Sequence, residues 1–506
     1  MRSDTASKTV TKRRIGSLLG ILKYMLHYKK SIAVILIAAI SGNALALLIP
    51  NITGKLVDTL IQPWNDAHIE ALLHGVLLIA GVAVVSWLLS VVQNVLMLNT
   101  AQNMVTRLRH DVFSKLMRLP VSYFDTRSKG DIISVVSVDI DNISDTVSSD
   151  VVTLISGVIT VVGALTMMLT ISPPLTLIFA VTVPAMFIAA RIMSKRARIL
   201  HRARKDCFGK LCGYTEEMIT AQKTVKSYGL EEYNLSRFRE TTADLKEKGA
   251  RAEFQSSCMM PTMNGINNLN FTLICVFGAI MALGGNFSVG NISAFVLYSK
   301  RFAHPIVETA NIINMFQTSL AACDRVFSIL NADAEPDEAA AEHGTVMRTV
   351  KGDITLDNVN FSYREDTPVL QDVDVEIKQG QTIAVVGATG SGKTTLISLL
   401  LRFYDVTAGR ILLDGKDIRE YPLQELRRCF ALVLQDSWLF EGTVYDNIGY
   451  AAPAERSTKE AIRQMCKDIK VDSFIQTLPD GYDTILYNDS GGLSQGQKQL
   501  LNIARA

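Results

Sequence analysis

Residues 31–54, SIAVILIAAISGNALALLIPNITG, and 76–98, VLLIAGVAVVSWLLSVVQNVLML, contain no Asp, Glu, Lys or Arg. A helix needs ~20 apolar residues to cross ~30 Å of hydrocarbon, so each run reads as a membrane span. The same absence of charge holds from Val151 to Ala190, broken by Ser172-Pro173-Pro174, and from Met259 to Ser299, broken by GGNFSVGN at 284–291. Proline pairs and glycine clusters interrupt helices, so each of these stretches is expected to hold two spans around a tight turn. Six spans are predicted in all. Composition agrees, because 48% apolar residues and a mean hydropathy of +0.22 are high for a water-soluble chain of 506 residues. A formal net charge of +2 excludes a strongly basic nucleic-acid binder, and no nucleic-acid partner is expected.

Lys and Arg crowd the segment before the first span, residues 107–129 and residues 195–210, whereas the connections at 58–70, 172–174 and 284–291 carry none. Basic residues mark the cytosolic side, so both termini are placed in the cytosol. Residues 1–30 form a cytosolic N-terminal segment with no secretory signal. Within it, 15–30 sets Leu18, Leu19, Leu22, Met25 and Leu26 against Lys23, His27, Lys29 and Lys30. That pattern suits either a helix lying on the bilayer surface or a plain extension of the first span. The seven cysteines form no C-x-x-C pair and read as reduced thiols without a metal site.

Residues 31–330 are therefore expected to be a six-span domain with long cytosolic loops, and the acidic, Ala-rich 331–351 a linker. From GDITLDNVNFSY (352–363) onward, strand-like alternation announces a soluble domain over 352–506. It contains GATGSGKT at 387–394, which matches G-x-x-x-x-G-K-[ST]. An apolar run, Ile383 to Val386, enters the loop as a predicted strand, and Leu396 to Phe403 leave it as a helix. Gly387, Gly390 and Gly392 let the backbone curl, with Ala388, Thr389 and Ser391 between them, so that several N–H groups face one point. Those donors and the following helix N-terminus form a cradle for phosphate. Lys393 supplies a cation to the terminal phosphates, Thr394 a hydroxyl for Mg2+, and Thr395 belongs with them to the expected nucleotide-binding set. Nucleotide binding follows from this loop.

With these motifs in order, the chain resembles the ATP-binding-cassette (ABC) transporter family, specifically half-transporters of the exporter architecture, from about residue 15 onward. The resemblance implies a multidomain membrane protein, with an all-α six-helix transmembrane domain followed by an incomplete α/β P-loop nucleotide-binding domain. ATP and Mg2+ are the implied cofactors, and a bacterial plasma membrane the implied location. Tyr363 in FSY sits where the family stacks an aromatic on adenine. Gln435 in LVLQDSWLF sits where the family contacts Mg2+ and the attacking water. LSQGQ (493–497) looks like the family signature, with Gln495 at a position where glycine is common. Ser494, Gly496 and Gln497 would open a helix aimed at ATP held by another subunit, which implies a dimer with a like or unlike half-transporter. Residues 116–143, with a short helix near Tyr123–Asp125, and residues 214–231, with Glu217 and Lys226, resemble the family's coupling segments. Those segments would dock near Trp438, Leu439 and Phe440 of a cassette. YNDSGG (487–492) offers Asn488 and Asp489 where many exporters carry a Gly-Glu pair, which leaves coupling through that loop open.

The family's hydrolytic Asp-Glu pair and switch histidine have no counterpart up to Ala506, so the sequence reads as a cassette cut short after the signature, able to grip ATP and inactive alone. In this reading Leu500, Leu501 and Ile503 lack packing partners. In the sixth span, Lys300, Arg301, His304, Glu308 and Asn311 mark a candidate substrate path, because polar groups within a span line cavities or bond between helices. Pro305 is expected to kink that span. Lys300 and Arg301 there favour an anionic or amphiphilic substrate. The leading function is a subunit of an ATP-driven membrane exporter, coupling ATP binding and hydrolysis to translocation of an unidentified substrate. The alternative is a non-hydrolysing ATP-binding regulatory subunit; a membrane-anchored P-loop kinase leaves LSQGQ and six spans without a role.

Overall fold

The computed structural model describes residues 20–21, 23–61, 66–285, 287–335, 350–364, 367–435, 438–452, 458–487 and 492–506. Two compact units divide the chain, Met1–Met117 with Ser128–Ala332, and Arg118–Arg127 with Asp333–Ala506. Most of the expected N-terminal segment and of the 331–351 linker lies outside the described residues, as do Asn488 and Asp489.

The first unit is built on long helices: α1 Lys29–Ile61, α2 Asp66–Leu116, α3 Lys129–Ile171, α4 Pro173–Thr220, α5 Glu231–Leu283 and α6 Val289–Leu330. Lipid offers no hydrogen bonds, so a spanning segment must pair its own N–H and C=O groups, which a helix does. Among the described residues, α1 to α5 are long and apolar enough to cross a membrane; α6 occupies the place of the sixth expected span. With 51 residues, α2 runs about 77 Å at ~1.5 Å per residue, well over twice the hydrocarbon thickness. The proline pair acts as a helix start as well as a stop. Ser172 is extended, its side chain accepts from the Leu175 N–H, and Pro173 opens α4 where a missing N–H is harmless. α6 is continuous through Pro305.

Leu47, Met168, Phe179, Ile274, Phe295 and Phe302 pack into one buried cluster that joins α1, α3, α4, α5 and α6. Tyr298 is fully buried there, and its hydroxyl donates to the Leu47 carbonyl at 2.6 Å. Nearer the 284–291 turn, a Cβ on Gly54 would stand 2.6 Å from the Gly290 carbonyl oxygen. Glycine at both positions lets α1 and α6 meet backbone to backbone. Asp58 then accepts from the Ser288 hydroxyl and the Gly290 N–H, both at 2.7 Å. Two π-helical turns, Val135–Asp139 and Thr146–Asp150, interrupt α3. Asp139 is 1% exposed and takes a two-pronged contact from Arg325 of α6, with Nε at 2.6 Å.

In the second unit, β1 (Ile354–Arg364), β2 (Thr367–Ile377), β3 (Ala408–Leu413) and β4 (Lys416–Asp417) form an antiparallel sheet in the order β2-β1-β3-β4. Leu356, Val359, Phe361, Ile411 and Leu413 face one core with Leu399 of helix α7, Lys393–Leu400. A second core gathers Val444, Tyr445, Ile448, Ile475 and Leu501.

Two expectations change here. Ile383 to Val386 joins no sheet among the described residues, and Val386 is 87% exposed; β propensity makes a strand only where a neighbouring edge supplies ladder partners. Leu501 is not short of partners, being 1% exposed, whereas Leu500 and Ile503 are 38% and 45% exposed. Helix α8, Gln495–Arg505, lies on the core and buries a single stripe. The short helix Val121–Asp125 forms as expected. The Tyr404 hydroxyl donates to the Asp125 carboxylate, and the Glu335 N–H donates to the Arg118 carbonyl at 2.9 Å. An ionised acceptor makes the stronger anchor.

Candidate functional site

The phosphate loop is an exposed turn that ends where α7 begins. Gly390 and Gly392 have φ of +86° and +88°, a left-handed conformation that glycine adopts without strain. A Cβ on Gly392 would also meet Leu370 at 2.7 Å, so its lack of a side chain lets the loop close on β2. Among the described residues no side chain caps α7, which leaves its first N–H groups open to a ligand. The Lys393 ammonium donates to the Gly387 and Ala388 carbonyls, both at 2.8 Å, and curls back over the loop. The Ser391 N–H donates to the Ala388 carbonyl at 3.2 Å. Thr389 and Thr394 are exposed and Thr395 is buried. A cradle of backbone donors with one ammonium above it is chemically fitted to phosphate oxygens.

Tyr363 stands beside this loop, half exposed, and its hydroxyl donates to Thr395 Oγ1 at 3.1 Å. Its ring meets Tyr404 edge-on, with centroids 5.1 Å apart and an interplanar angle of 90°. Burial and the hydrogen bond to Asp125 push the Tyr404 phenol well above its ordinary value, so it stays a donor at neutral pH. A continuous chain therefore runs from Asp125 through Tyr404 and Tyr363 to Thr395. Gln435 is exposed and makes no hydrogen bond among the described residues.

Ser494 caps α8 as the sequence predicts. Its hydroxyl accepts from the Gln497 N–H at 3.3 Å, and the Gln497 side chain accepts from the Ser494 N–H at 2.8 Å. This reciprocal capping box uses both side chains locally. The N–H groups of Gln495 and Gly496 make no hydrogen bond among the described residues, and a Cβ on Gly496 would meet nothing within 4 Å.

In the helical unit, a cavity of about 600 Å³ opens among α1, α2, α3 and α6. Arg301, Pro305 and Glu308 line it from α6, opposite Asn43, Ser86, Gln93, Asn94, Ser156 and Thr160. Lys300 is not among these lining residues; its ammonium lies 5.9 Å from the centroid of the Phe271 ring. Of the predicted path, the structure thus brings Arg301 and Glu308 to the cavity and leaves Lys300 out. The side chains of His304 and Asn311 lie outside the described residues.

Comparison with known proteins fits both halves. The profile described as ABC transporter transmembrane region matches residues 32–305, and that described as ABC transporter matches residues 370–506. The chain belongs to the ABC transporter family. It is an exporter-type half-transporter, with permease and ATP-binding parts in one polypeptide, and an integral membrane protein. The uncharacterized ABC transporter ATP-binding protein YfiC of Bacillus subtilis is 36% identical over 97% of this chain and 80% of its own length. A fatty acid ABC transporter ATP-binding/permease protein of Mycobacterium tuberculosis is 37% identical over 80% of this chain and 64% of its own length. An ATP-dependent lipid A-core flippase of Chromobacterium violaceum is 32% identical over 99% of this chain and 83% of its own length.

Two features of the half-transporter escape sequence reasoning. The cavity's polar wall was signalled by Asn43, Gln93 and Asn94, which interrupt otherwise apolar runs in the first two spans; intramembrane amides need partners and mark interfaces or cavities. Tyr404 carries no signal at all, because its role depends on Asp125, which lies 279 residues away in the chain.

Proposed function

We propose that two copies of this half-transporter, or one copy and an unlike partner, use ATP to move a lipid-like amphiphile across the membrane. The phosphate loop carries the reading: an open cradle of N–H groups under Lys393, beside Tyr363, in a chain that also holds the helical export domain. Lys393 would leave its loop carbonyls for the terminal phosphates, and Tyr363 would lie against adenine. Thr394 and Gln435 offer the oxygens that would hold Mg2+, which neutralises phosphate charge when bound. The unengaged N–H groups of Gln495 and Gly496 support a role for α8 as the anion-facing wall presented to a partner's ATP. Asp125 and Tyr404 would carry the consequence of nucleotide binding into the 118–127 segment, which peptide bonds join directly to α2 and α3.

The substrate class rests on the relatives named for fatty acid transport and lipid A-core flipping, and on a cavity that mixes polar and apolar walls. The test is ATP turnover by the purified full-length half-transporter in liposomes, screened with fatty acids, phospholipids and peptides. Turnover stimulated by an amphiphile and abolished in Lys393→Ala supports the reading. Stimulation by peptides alone, or turnover indifferent to Lys393→Ala, overturns it.

A further inference from the structure

We propose that the cavity among α1, α2, α3 and α6 receives the oxyanion head of an amphiphile, carboxylate or phosphate, with Arg301 as its counter-charge; this rests on the exporter reading above. Among the described residues, Arg301 has neither a carboxylate partner nor a hydrogen bond, although it sits partly buried on the cavity wall. A guanidinium cannot shed its proton at any physiological pH. It brings five N–H donors in a planar fork. A charge held within a span without a partner is costly, and is kept where it serves a ligand or an ion path. A carboxylate or phosphate satisfies the fork with two parallel bonds, which a neutral or cationic head cannot do.

The other walls fit a head group. The cavity's volume of about 600 Å³ lies within the ~300–1,000 Å³ of small-molecule sites and has room for about twenty waters at ~30 Å³ each. Gln93 is buried and reaches the Ser156 hydroxyl at 3.5 Å, and Thr160 donates to Asn43 at 3.2 Å. These cross-helix contacts hold a polar wall in place opposite Arg301. Glu308 lies seven residues beyond Arg301 and so on the same helix face. Its carboxylate repels an anion, which confines the head to the Arg301 end.

The rim gives a place for the chain. Trp87 lines the cavity yet is 64% exposed, with Val84 and Val91 of the same α2 face 54% and 39% exposed. An acyl chain leaving the cavity past Trp87 therefore meets an apolar outer surface. The head would be held among polar groups while the chain stays in hydrocarbon.

The chain's tryptophans are Trp64, Trp87 and Trp438, which permits a direct measurement. The full chain carrying Trp64→Phe and Trp438→Phe is placed in phosphatidylcholine nanodiscs without nucleotide. Trp87 fluorescence is then titrated with dibromostearate, a brominated phosphatidic acid and a brominated alkylamine. Saturable quenching by an anionic probe, with the amine giving only a non-saturating slope, is expected. Saturation by dibromostearate alone, by phosphatidic acid alone or by both names the head. Arg301→Gln is expected to raise the half-saturation concentration at least tenfold, and Arg301→Lys by less. Glu308→Gln is expected to lower it at least twofold, a direction that loss of folding cannot mimic. Saturation by the amine, no saturation by either anion, or curves indifferent to Arg301→Gln overturn the site. The assay uses no ATP. Saturable anion binding without ATP-driven transport would therefore sink the exporter reading alone, and transport with Arg301-independent binding would sink this site alone.

Discussion

The two units use polar groups in opposite ways. In the helical unit several are tied to each other, as Asp139 is to Arg325 and Asp58 is to Ser288 and Gly290, and Arg301 on the cavity wall is the exception among the described residues. In the cassette unit the groups of the phosphate loop stand in the open, and the backbone makes the site. The difference follows from solvent. A polar group in or beside lipid must find a partner within the protein, whereas one facing water waits for a ligand at little cost. Removing charge from the helical unit should therefore reduce stability, and removing it from the phosphate loop should reduce binding.

The largest expected effect tests the second half of that contrast. Lys393→Ala should lower affinity for a fluorescent ATP analogue at least a hundredfold while leaving the melting temperature within about 2 °C. An unfolded Lys393→Ala protein would break the comparison. Next comes Arg325→Ala, which leaves the Asp139 carboxylate buried without its partner. The loss of stability should approach ~3 kcal/mol, the lower end for breaking a buried pair, because Arg325 itself is half exposed. Asp139→Asn should be milder. Thermal unfolding in detergent measures both, and ATP affinity should not follow. Tyr363→Ala comes third. Loss of a base-stacking ring is worth ~1–3 kcal/mol, so ATP affinity should fall roughly fivefold to a hundredfold, with Tyr363→Phe largely restoring it.

Smaller effects sharpen the contrast. Tyr404→Phe removes one hydrogen bond, worth ~0.5–1.5 kcal/mol, but keeps the ring against Tyr363. Amphiphile-stimulated ATP turnover should drop while the KM for ATP holds; a changed KM with unchanged stimulation would place Tyr404 in nucleotide binding alone. The smallest effect is on pH. Arg419 beside Asp417 holds that carboxyl below its ordinary value. A depressed folded value means the contribution is complete above an unfolded pKa of ~3.9 and is lost as pH falls through the folded value. The cassette should lose stability below about pH 4, and Asp417→Asn should flatten that slope.

The spans were legible because hydrocarbon imposes one rule on every residue of a segment. Length and absence of charge mark α1 to α5 without knowledge of any neighbour. The turns at Ser172-Pro173-Pro174 and at 284–291 were legible for the equally local reason that proline and glycine act on their own backbone. In the cassette, G-x-x-x-x-G-K-[ST] and the Ser494 cap were readable because each is a contiguous device whose donors and acceptors lie within a few residues. Ile383 to Val386 misled because a strand is half a structure, and its pairing belongs to whatever lies beside it. The candidate path in α6 was readable as a set of polar residues, but not as a face. Neighbouring positions such as Lys300 and Arg301 differ by ~100° around a helix, and only packing decided that Arg301 meets the cavity while Lys300 lies over Phe271.

By itself, then, the sequence determined the membrane class, the positions of the spans and a phosphate-binding turn, since each depends on interactions between residues near in the chain or between a segment and its solvent. Tertiary structure decided which polar side chains share a cavity, that Asp139 meets Arg325, and that Asp125 reaches the aromatic wall through Tyr404. Those contacts join residues far apart in the chain, 186 positions for Asp139 and Arg325 and 279 for Asp125 and Tyr404, and no local periodicity encodes a distance that only the packed fold creates.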